Sequence, residues 1–522
     1  MPQMRSRREQ VDAHRFITSR MNQALVLANP DSVERPLRRI GVSIFASVMI
    51  MVLIFGGFAI AALLNKGNDE PVIGSIITVK GTQSIYVYTY APGDQEAGEP
   101  AKLWPVANYT SALLLLDPYE GDPPVQDLKP ESLAGVPRGF PIGITGAPSE
   151  PPPPSSLRQK ENWNACTMPR EEGSKDSHML TQLLVEDLPA PDQWLGQDQW
   201  LLARTAVADP ADRDLYLLWN DRKYPIEDKR VLNVLNLQEA DSVPLNEDML
   251  KTIESGAPLR ADVDEDYFGT ESGVSTPEAG TLMYGQTVRV GEELFVLLKD
   301  DELGDEFAEI SETERRLLED ALALPTVEIS AQVKNDEGAQ GSYGHGAFPQ
   351  EVLDPWKADP KRFAVCAVFD PSITLEDQTI RIAMYNTAPK SMTSAAEAME
   401  LSEEGDIVSN VEGQTAQTVL PPGTAALVSS QSSPGQTIQG ITYLVDSLGY
   451  RYGLVDFGET GSTKKLLGYG DVKSIGVPDT MLSLIPKGPS LDPIQAKNQQ
   501  DPESEEIPVY DTGEEKGSGE GE

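Results

Sequence analysis

Three kinds of residue are scarce in this 522-residue chain: cysteine, histidine and the basic side chains. The three histidines, His14, His178 and His345, have none of the spacings that metal ligands or a Ser–His–Asp site require. Lysine and arginine together number 42 against 82 acidic residues, which gives a formal net charge of −40. Because a surface of that charge repels phosphate backbones, the sequence predicts a protein that does not bind nucleic acid.

The sequence also lacks a complete phosphate-binding or calcium-binding motif. "GETGSTKK" (458–465) contains glycines and lysines, but not in the order that a P-loop requires. "DVDED" (262–266) begins like a calcium loop, yet Tyr267 stands where glycine is needed and Gly273 where glutamate is needed. We therefore predict no catalytic residue, no cofactor and no metal ion, and we interpret the two stretches as a hairpin loop and an acidic linker.

Long apolar runs are equally scarce, because only one stretch is long enough to cross a membrane. Residues 41–64 contain no charged side chain, and a helix of this length spans a hydrocarbon layer of about 30 Å. A cleaved signal peptide is the alternative interpretation. Three arginines precede the run closely and one lysine, Lys66, follows it, so the positive-inside rule places residues 1–40 in the cytoplasm and the remainder outside. The sequence thus predicts a single-pass protein of the inner (cell) membrane, with a periplasmic or extracytoplasmic body.

The segment before the membrane run is basic, with eight arginines against four acidic residues in the first 40 positions. Its stretch "EQVDAHRFITSRMNQALVL" (9–27) is typical of a helix with apolar side chains roughly on one face and basic side chains beside them. We predict that this leader binds a cytoplasmic partner; a helix that merely lies on the inner leaflet is the alternative. The predicted binding residues are Arg15, Phe16, Ile17, Arg20 and Met21.

The two cysteines, Cys166 and Cys366, both follow the membrane run. A cysteine pair outside the membrane is normally oxidised, and we predict that these two form a disulfide. Such a bond would close a loop of about 200 residues and contribute about 5 kcal/mol in the loop-entropy model. Two buried free thiols are the alternative.

One unusual phrase occurs twice in the chain. "MLKTIESGAPL" (249–259) and "MLSLIPKGPSL" (481–491) share five residues at identical spacing, a related phrase occupies 133–142, and a degraded copy without the glycine occupies 318–327. The spacing predicts a short helix, a left-handed stop at the glycine and then an extended segment.

Each copy follows a strand–turn–strand pattern, which predicts four small repeats. A shift of about 200–230 residues maps the first two hairpins onto the last two and one cysteine onto the other, which indicates an internal duplication. The predicted fold is one N-terminal transmembrane helix and an elongated β-rich α+β extracytoplasmic body, with four small repeats around a central β domain and a quasi-twofold relation. The predicted boundaries are: cytoplasmic basic leader 1–40, transmembrane helix 41–64, repeat 1 70–148, first central-domain segment 149–206, repeat 2 212–260, linker 261–281, repeat 3 282–328, second central-domain segment 329–432, repeat 4 436–493 and disordered acidic tail 494–522.

Four motifs together resemble the EccB family, the single-pass membrane component of actinobacterial type VII (ESX) secretion systems. They are "HRFITSRM" (14–21), "WPVANYTSALLLL" (104–116), "VPRGFPIGITGAP" (136–148) and "WNAC" (163–166). The resemblance runs from about residue 7 to residue 493, and it implies four repeats around a central domain that contains a disulfide. This chain departs from the family pattern in a longer hairpin loop at 91–102 and in its degenerate third repeat.

The same resemblance implies a function and a set of partners. We expect a structural subunit that braces the periplasmic side of a secretion complex in the inner membrane and associates with its own kind. The implied partners are an EccC-type motor ATPase, EccD-type and EccE-type membrane subunits and a mycosin-type protease. The alternatives are an ATP hydrolase of the same system, because some family members are described as ATPases, and a membrane-tethered protein that binds the cell wall.

Overall fold

The structure is a computed structural model that divides into two compact bodies, Met1–Pro71 with Leu128–Gly135 and Val72–Asp127 with Val136–Glu522. It describes residues 7–27, 36–64, 70–90, 100–116, 122–170, 179–207, 209–277, 279–300, 304–337, 339–343, 348–349, 351, 353–397, 416–438, 440–455 and 462–499. Several predictions therefore fall partly outside the described residues. They concern the start of the leader, the hairpin loop at 91–99, the segment 458–461 and the tail from 500 onward.

Two long helices dominate the first body, α1 (Arg7–Leu27) and α2 (Pro36–Leu64). A proline at the first position of α2 is compatible with a helix, because the first N–H groups have no intrahelical acceptor. Within α2, Gly41–Phe58 has a mean hydropathy of 2.3 and is not buried against the rest of the protein. By length and composition this segment is a candidate membrane span, as the sequence predicts.

The second body begins with a four-stranded sheet that we call sheet unit 1 (residues 75–128). Its elements are β1 (Ser75–Val79), β2 (Ile85–Thr89), β3 (Lys102–Pro105), α3 (Tyr109–Leu114) and β4 (Val125–Leu128). The strand order is β3-β2-β1-β4, so the chain makes an antiparallel meander and returns through α3 to the open side of β1. The Asn108 side chain caps α3 by accepting a hydrogen bond from the Ser111 N–H at 2.8 Å.

A hairpin and a short strand follow, β5 (Trp163–Pro169), β6 (Met179–Val185) and β7 (Gln193–Trp194). The chain then forms sheet unit 2 (residues 200–245) and a helix that follows it. These elements are β8 (Trp200–Thr205), β9 (Leu215–Trp219), β10 (Arg222–Ile226), α4 (Arg230–Val234), β11 (Val243–Leu245) and α5 (Glu247–Thr252). The strand order is β10-β9-β8-β11, with β11 parallel to β8. Asn220 and Asp221 both have positive φ, as a two-residue type I′ turn between β9 and β10 requires.

The predicted acidic linker at 261–281 is wrong over its later residues, which form a hairpin. The hairpin consists of β12 (Glu271–Thr276) and β13 (Gly280–Met283), and it buries Val274 and Leu282 against the next sheet. These two apolar side chains alternate with polar ones, so each strand presents a buried face that a linker does not have.

Sheet unit 3 (residues 287–328) repeats the meander and adds a further strand. Its elements and those that follow are β14 (Thr287–Val290), β15 (Glu293–Asp300), β16 (Gly304–Glu309), α6 (Glu312–Leu322), β17 (Val327–Glu328), α7 (Ala331–Glu337) and β18 (Ala339–Ser342). The degraded phrase at 318–327 is the end of α6, which begins with a Ser311–Glu314 capping box. Ala323 takes the left-handed conformation at the end of this helix, with φ of 54°.

The chain then returns to the centre with β19 (Ala364–Phe369), β20 (Ile380–Tyr385), α8 (Lys390–Glu397) and β21 (Gln417–Val419). Together with the earlier hairpin these strands form the central sheet, in the order β21-β6-β5-β19-β20-β7. β5 and β19 are adjacent and antiparallel, so the middle of this sheet joins strands that are distant in the chain.

Sheet unit 4 (residues 425–478) completes the second body. The last elements are β22 (Ala425–Gln431), β23 (Thr442–Asp446), β24 (Arg451–Leu454), α9 (Thr463–Leu466), β25 (Ile475–Pro478), α10 (Asp479–Leu482) and α11 (Pro493–Ala496). The strand order is β24-β23-β22-β25, with β25 parallel to β22. In all four sheet units the third, second, first and fourth strands thus lie side by side in this order. The fourth strand is parallel to the first in units 2, 3 and 4.

Two boundaries and the start of the tail differ from the sequence predictions. The predicted central domain includes β8 and β22, yet each is the first strand of sheet unit 2 or sheet unit 4. The predicted tail from residue 494 is wrong at its start, because α11 packs against α3 and Ala496 is fully buried there.

The sheet units pack in pairs. Units 1 and 4 share one apolar core, which includes Leu113, Leu114, Leu427 and Tyr469. Units 2 and 3 meet through α4 and α6, where Leu317 of α6 joins the core of unit 2. The central sheet has its own cores on its two faces.

The glycine of the repeated phrase is not the left-handed stop that the spacing predicts. Gly139, Gly256 and Gly488 do not have the positive φ that a left-handed stop requires. Instead, a β carbon at these positions would lie 2.1 to 2.4 Å from an aromatic ring on the third strand of the same sheet unit. The rings are those of Trp104, Tyr224 and Tyr452, respectively. Each glycine N–H also donates to the carbonyl just before that aromatic residue, so the extended segment adds to the edge of the sheet.

This contact predicts a defined cost for the smallest added side chain. Gly256→Ala should lower the free energy of unfolding by about 1–3 kcal/mol, because the new methyl group overlaps the buried ring of Tyr224. Gly196→Ala is the matched control, since a β carbon there meets no atom within 4 Å and its φ is not positive. Chemical denaturation of the two variants measures the difference. Equal stabilities would contradict the assigned role of the ring.

Candidate functional site at the junction of the two halves

The two cysteines lie opposite each other in the middle of the central sheet. Cys166 of β5 and Cys366 of β19 are directly paired, with their Cα atoms 4.0 Å apart and their sulfur atoms 2.09 Å apart, which is disulfide distance. Both side chains are fully buried, and Met392 of α8 packs in the same core. The pair therefore connects two strands that are 200 residues apart in sequence.

The other face of the central sheet is covered by both copies of the repeated phrase. Met249 and Leu250 of α5 and Met481 and Leu482 of α10 are all at most 2% exposed. They belong to one core together with alternate side chains of β5 and β19, and the two helices contact each other. The repeated phrase thus supplies two equivalent apolar pairs to one junction.

The two halves of the second body, residues 72–127 with 136–260 and residues 261–499, also pair through their backbones. The segment before β5 pairs with β22, where the Arg158 N–H donates to the Ala425 carbonyl at 2.7 Å. The segment before β19 pairs with β8, where the Trp356 N–H donates to the Trp200 carbonyl at 2.8 Å. Each half therefore supplies an extended segment that pairs with a strand of a sheet unit in the other half.

A cleft of about 570 Å³ opens beside this junction. Its walls come from the β9–β10 turn, the segment after α5, the start of β20, the loop after β22 and the start of α10. Representative lining residues are Asp221, Ile253, Gln378, Thr379, Ser433 and Thr480. No sequence motif marks this site, because its walls come from segments that are distant from one another in the chain.

Ionised groups in the cleft have their partners close by. The Arg222 guanidinium lies 3.3 Å from the Glu254 carboxylate, and Lys251 pairs with Glu247 and Asp248 at 3.1 and 3.3 Å. Asp221 accepts a hydrogen bond from the Ile382 N–H at 2.8 Å, and burial raises the pKa of its carboxyl. Within the described ranges, no group of three or more His, Cys, Asp or Glu side chains is placed to hold a metal ion.

The predicted leader residues lie in the first body, on the exposed surface of α1. Ile17, Met21 and Leu25 follow at four-residue intervals and form an apolar stripe, with Arg15 and Arg20 on its two sides. Phe16 lies about 100° around the helix from Ile17 and therefore off this stripe, and the role of the five leader residues in partner binding stays a prediction. All of these side chains are more than one-third exposed.

The fold matches that of chains from ESX inner-membrane complexes. A chain in the structure of an intact ESX-5 inner membrane complex superposes with a TM-score of 0.61 at 19% identity, over 96% of this chain and 97% of that one. The EccB3 dimer from the ESX-3 core complex gives a TM-score of 0.58 at 20% identity, over 81% and 99%. The chain therefore has the fold of these chains, with one apolar N-terminal helix and a β-rich body.

This chain belongs to the EccB family, because the model for "Type VII secretion system ESX-1, transport TM domain B" matches residues 4–503. The ESX-2 secretion system ATPase EccB2 of Mycobacterium tuberculosis is 22% identical over 506 residues, which is 94% of each chain. The ESX-1 secretion system ATPase EccB1 of Mycolicibacterium smegmatis is 30% identical over 183 residues, which is 34% of each chain. The family expectation from the sequence is confirmed.

The cysteine geometry leads to a stability prediction for the full chain. Changing both residues, Cys166→Ala with Cys366→Ala, should lower the free energy of unfolding by about 2–5 kcal/mol, because the unfolded chain loses a cross-link between distant strands. Denaturation with and without a reducing agent measures this difference. Reduction should destabilise the wild type and leave the double variant unchanged. Recovery of both wild-type cysteines as free thiols after rapid alkylation would contradict the prediction.

Proposed function

We propose that this chain is a structural membrane subunit of a type VII (ESX) protein secretion machine, where it braces the periplasmic side of the inner-membrane complex. The family match over residues 4–503 carries this proposal. Fold similarity to chains of an ESX-5 inner membrane complex and of its periplasmic assembly supports it. The two halves of the second body share a core, each half pairs an extended segment with a sheet unit of the other half, and a buried cysteine pair connects them. This construction suits a load-bearing role.

The proposed orientation places α1 in the cytoplasm and the β-rich body in the periplasm. It is supported by the arginines that precede the apolar segment Gly41–Phe58 and by the scarcity of basic residues directly after it. An oxidised cysteine pair is also typical of the periplasm and rare in the cytosol.

We further propose that the four sheet units are repeats and that the second body arose by internal duplication. Three observations support this: the common strand order, the glycine–aromatic contact in units 1, 2 and 4, and the reciprocal pairing of the two halves. A quasi-twofold relation would then pass between Cys166 and Cys366 and between α5 and α10.

The proposed partners follow from the family assignment. They are an EccC-type motor ATPase, EccD-type and EccE-type membrane subunits, a mycosin-type protease and further copies of this chain. The exposed stripe of α1 is the proposed contact on the cytoplasmic side, because three apolar side chains with flanking arginines are suited to bury against a partner helix.

The leader contact predicts a specific loss of assembly. Ile17→Glu with Met21→Glu should reduce recovery of the chain in the native membrane complex at least tenfold, because two buried apolar contacts become charged. Ser19→Glu with Asn22→Glu is the matched control, since it adds the same charge to α1 outside the stripe. Blue-native electrophoresis of solubilised membranes measures incorporation. If a chain without residues 1–30 enters the complex at the wild-type level, the leader only directs membrane insertion.

ATP hydrolysis is the second candidate function, because the EccB1 and EccB2 relatives are named ATPases. From the sequence we predict no intrinsic ATPase activity, and this stays a prediction. Phosphate release by the purified full chain tests it, with Lys464→Ala and Lys465→Ala in α9 as paired variants. Hydrolysis that the wild type shows and the double variant loses would establish the second function. Hydrolysis that both proteins show equally would indicate a copurifying enzyme.

A further inference from the structure

The cleft beside the junction opens onto the outer edge of the central sheet. Ile382 directs both backbone groups away from β19, because its N–H donates to Asp221 and its carbonyl accepts from the Leu195 N–H at 2.8 Å. In an antiparallel strand the direction of these groups alternates, so Ile380 also directs its N–H and carbonyl outward. The neighbouring strand β7 pairs only with residues 383 and 384, so no strand among the described residues pairs with β20 on this side at Ile380.

The chemistry of the cleft combines an apolar floor with a polar rim. The side chains of Ile253 and Ile380 are at most 8% exposed and belong to the core below. Hydroxyl and amide side chains surround this floor, among them Thr379, Ser432 and Ser433. Such a site offers hydrogen bonds to a ligand that carries alternating donors and acceptors.

Charge further restricts the ligand. The four ionised side chains that line the cleft comprise two cations and two anions, and Arg222 with Glu254 already forms an ion pair at 3.3 Å. Lys251 is paired with acidic residues of its own helix, and Asp221 is held by a backbone N–H. A charged ligand would therefore gain little attraction here, although the chain as a whole carries a charge of −40.

The cleft also continues beyond its first chamber. A second hollow of about 490 Å³ shares Ser432 with it and is lined by Gln436, Thr437 and Asp479. The Asp479 carboxylate, the fifth ionised group on this path, accepts a hydrogen bond from the Ser430 hydroxyl. Asp479 directly precedes Thr480, which lines the first chamber. The two hollows thus form a polar path along the loop after β22, which suits an elongated ligand.

We propose that this cleft binds a short, extended and uncharged polypeptide segment, which adds its backbone to the edge of β20 at Ile380. The unpaired strand edge favours a peptide, because a peptide backbone supplies the matching N–H and carbonyl at the spacing of a β-strand. The rim then selects small polar side chains. This inference does not depend on the proposed secretion function.

The test uses the purified full chain in detergent and a pool of capped pentapeptides made from serine, threonine, asparagine, glutamine and valine. We expect that affinity selection with mass spectrometry recovers individual peptides from this pool. In Thr379→Arg the new side chain fills the cleft beside Ile380, and binding of the selected peptides should weaken at least tenfold. Thr281→Arg is the matched control, because Thr281 is an exposed threonine of β13 outside the cleft, and it should bind like the wild type.

A second variant keeps the test decisive if Thr379→Arg does not fold. Ser433→Trp obstructs the cleft from the loop after β22 and should cause the same loss. The proposal is wrong if no peptide binds at millimolar concentration, or if both cleft variants bind as well as the wild type. It is also wrong if oligomers of N-acetylglucosamine bind in the cleft and displace the peptides, since the site would then recognise a glycan. None of these outcomes bears on assembly of the membrane complex.

Discussion

The second body depends on one apolar junction, the burial of two Met–Leu pairs beneath the central sheet. Met249, Leu250, Met481 and Leu482 are almost completely removed from water. At about 1.5–3 kcal/mol for each side chain, the junction contributes on the order of 6–12 kcal/mol before the entropy of ordering is subtracted. Since the net stability of a folded domain is about 5–15 kcal/mol, this contribution is comparable to the whole net stability of a domain. The repeated phrase is therefore the physical link between the two halves.

The opposite face of the same sheet carries the second link. Cys166 and Cys366 connect β5 to β19 at the position where the two halves meet, and exchanged edge segments extend the connection to sheet units 2 and 4. Hydrophobic burial acts on one face of the sheet and the cysteine pair acts on the other. Separation of the halves would thus require exposure of the core, breakage of the cross-link and loss of backbone hydrogen bonds at the same time.

Much of this fold could be predicted from local sequence patterns. The predictions differ from the structure where contacts between distant parts of the chain determine the conformation. The apolar run, the hairpins and the short helices of the repeated phrase could be predicted because their signals are local in the chain. The role of Gly256 could not, because it depends on the ring of Tyr224, which lies on another strand. The predicted membership of β8 and β22 is wrong for the same reason, since a buried strand pattern does not name its partner strand. The cleft could not be predicted from the sequence, because its walls come from separate segments of the chain.

The four sheet units share a topology, but they differ in how much apolar core each one shares with a neighbouring unit. Unit 1 contributes Ile76, Val87, Leu113 and Leu114 to the core it shares with unit 4, and α11 closes over that core. Of the described residues of unit 3, only Leu317 belongs to the core of unit 2, while the remainder of unit 3 has cores of its own. Because attachment scales with the apolar area buried, unit 3 is held less firmly than unit 1. A subunit built in this way combines a cross-linked centre that keeps its geometry with one module that can adjust to a neighbour at small energetic cost.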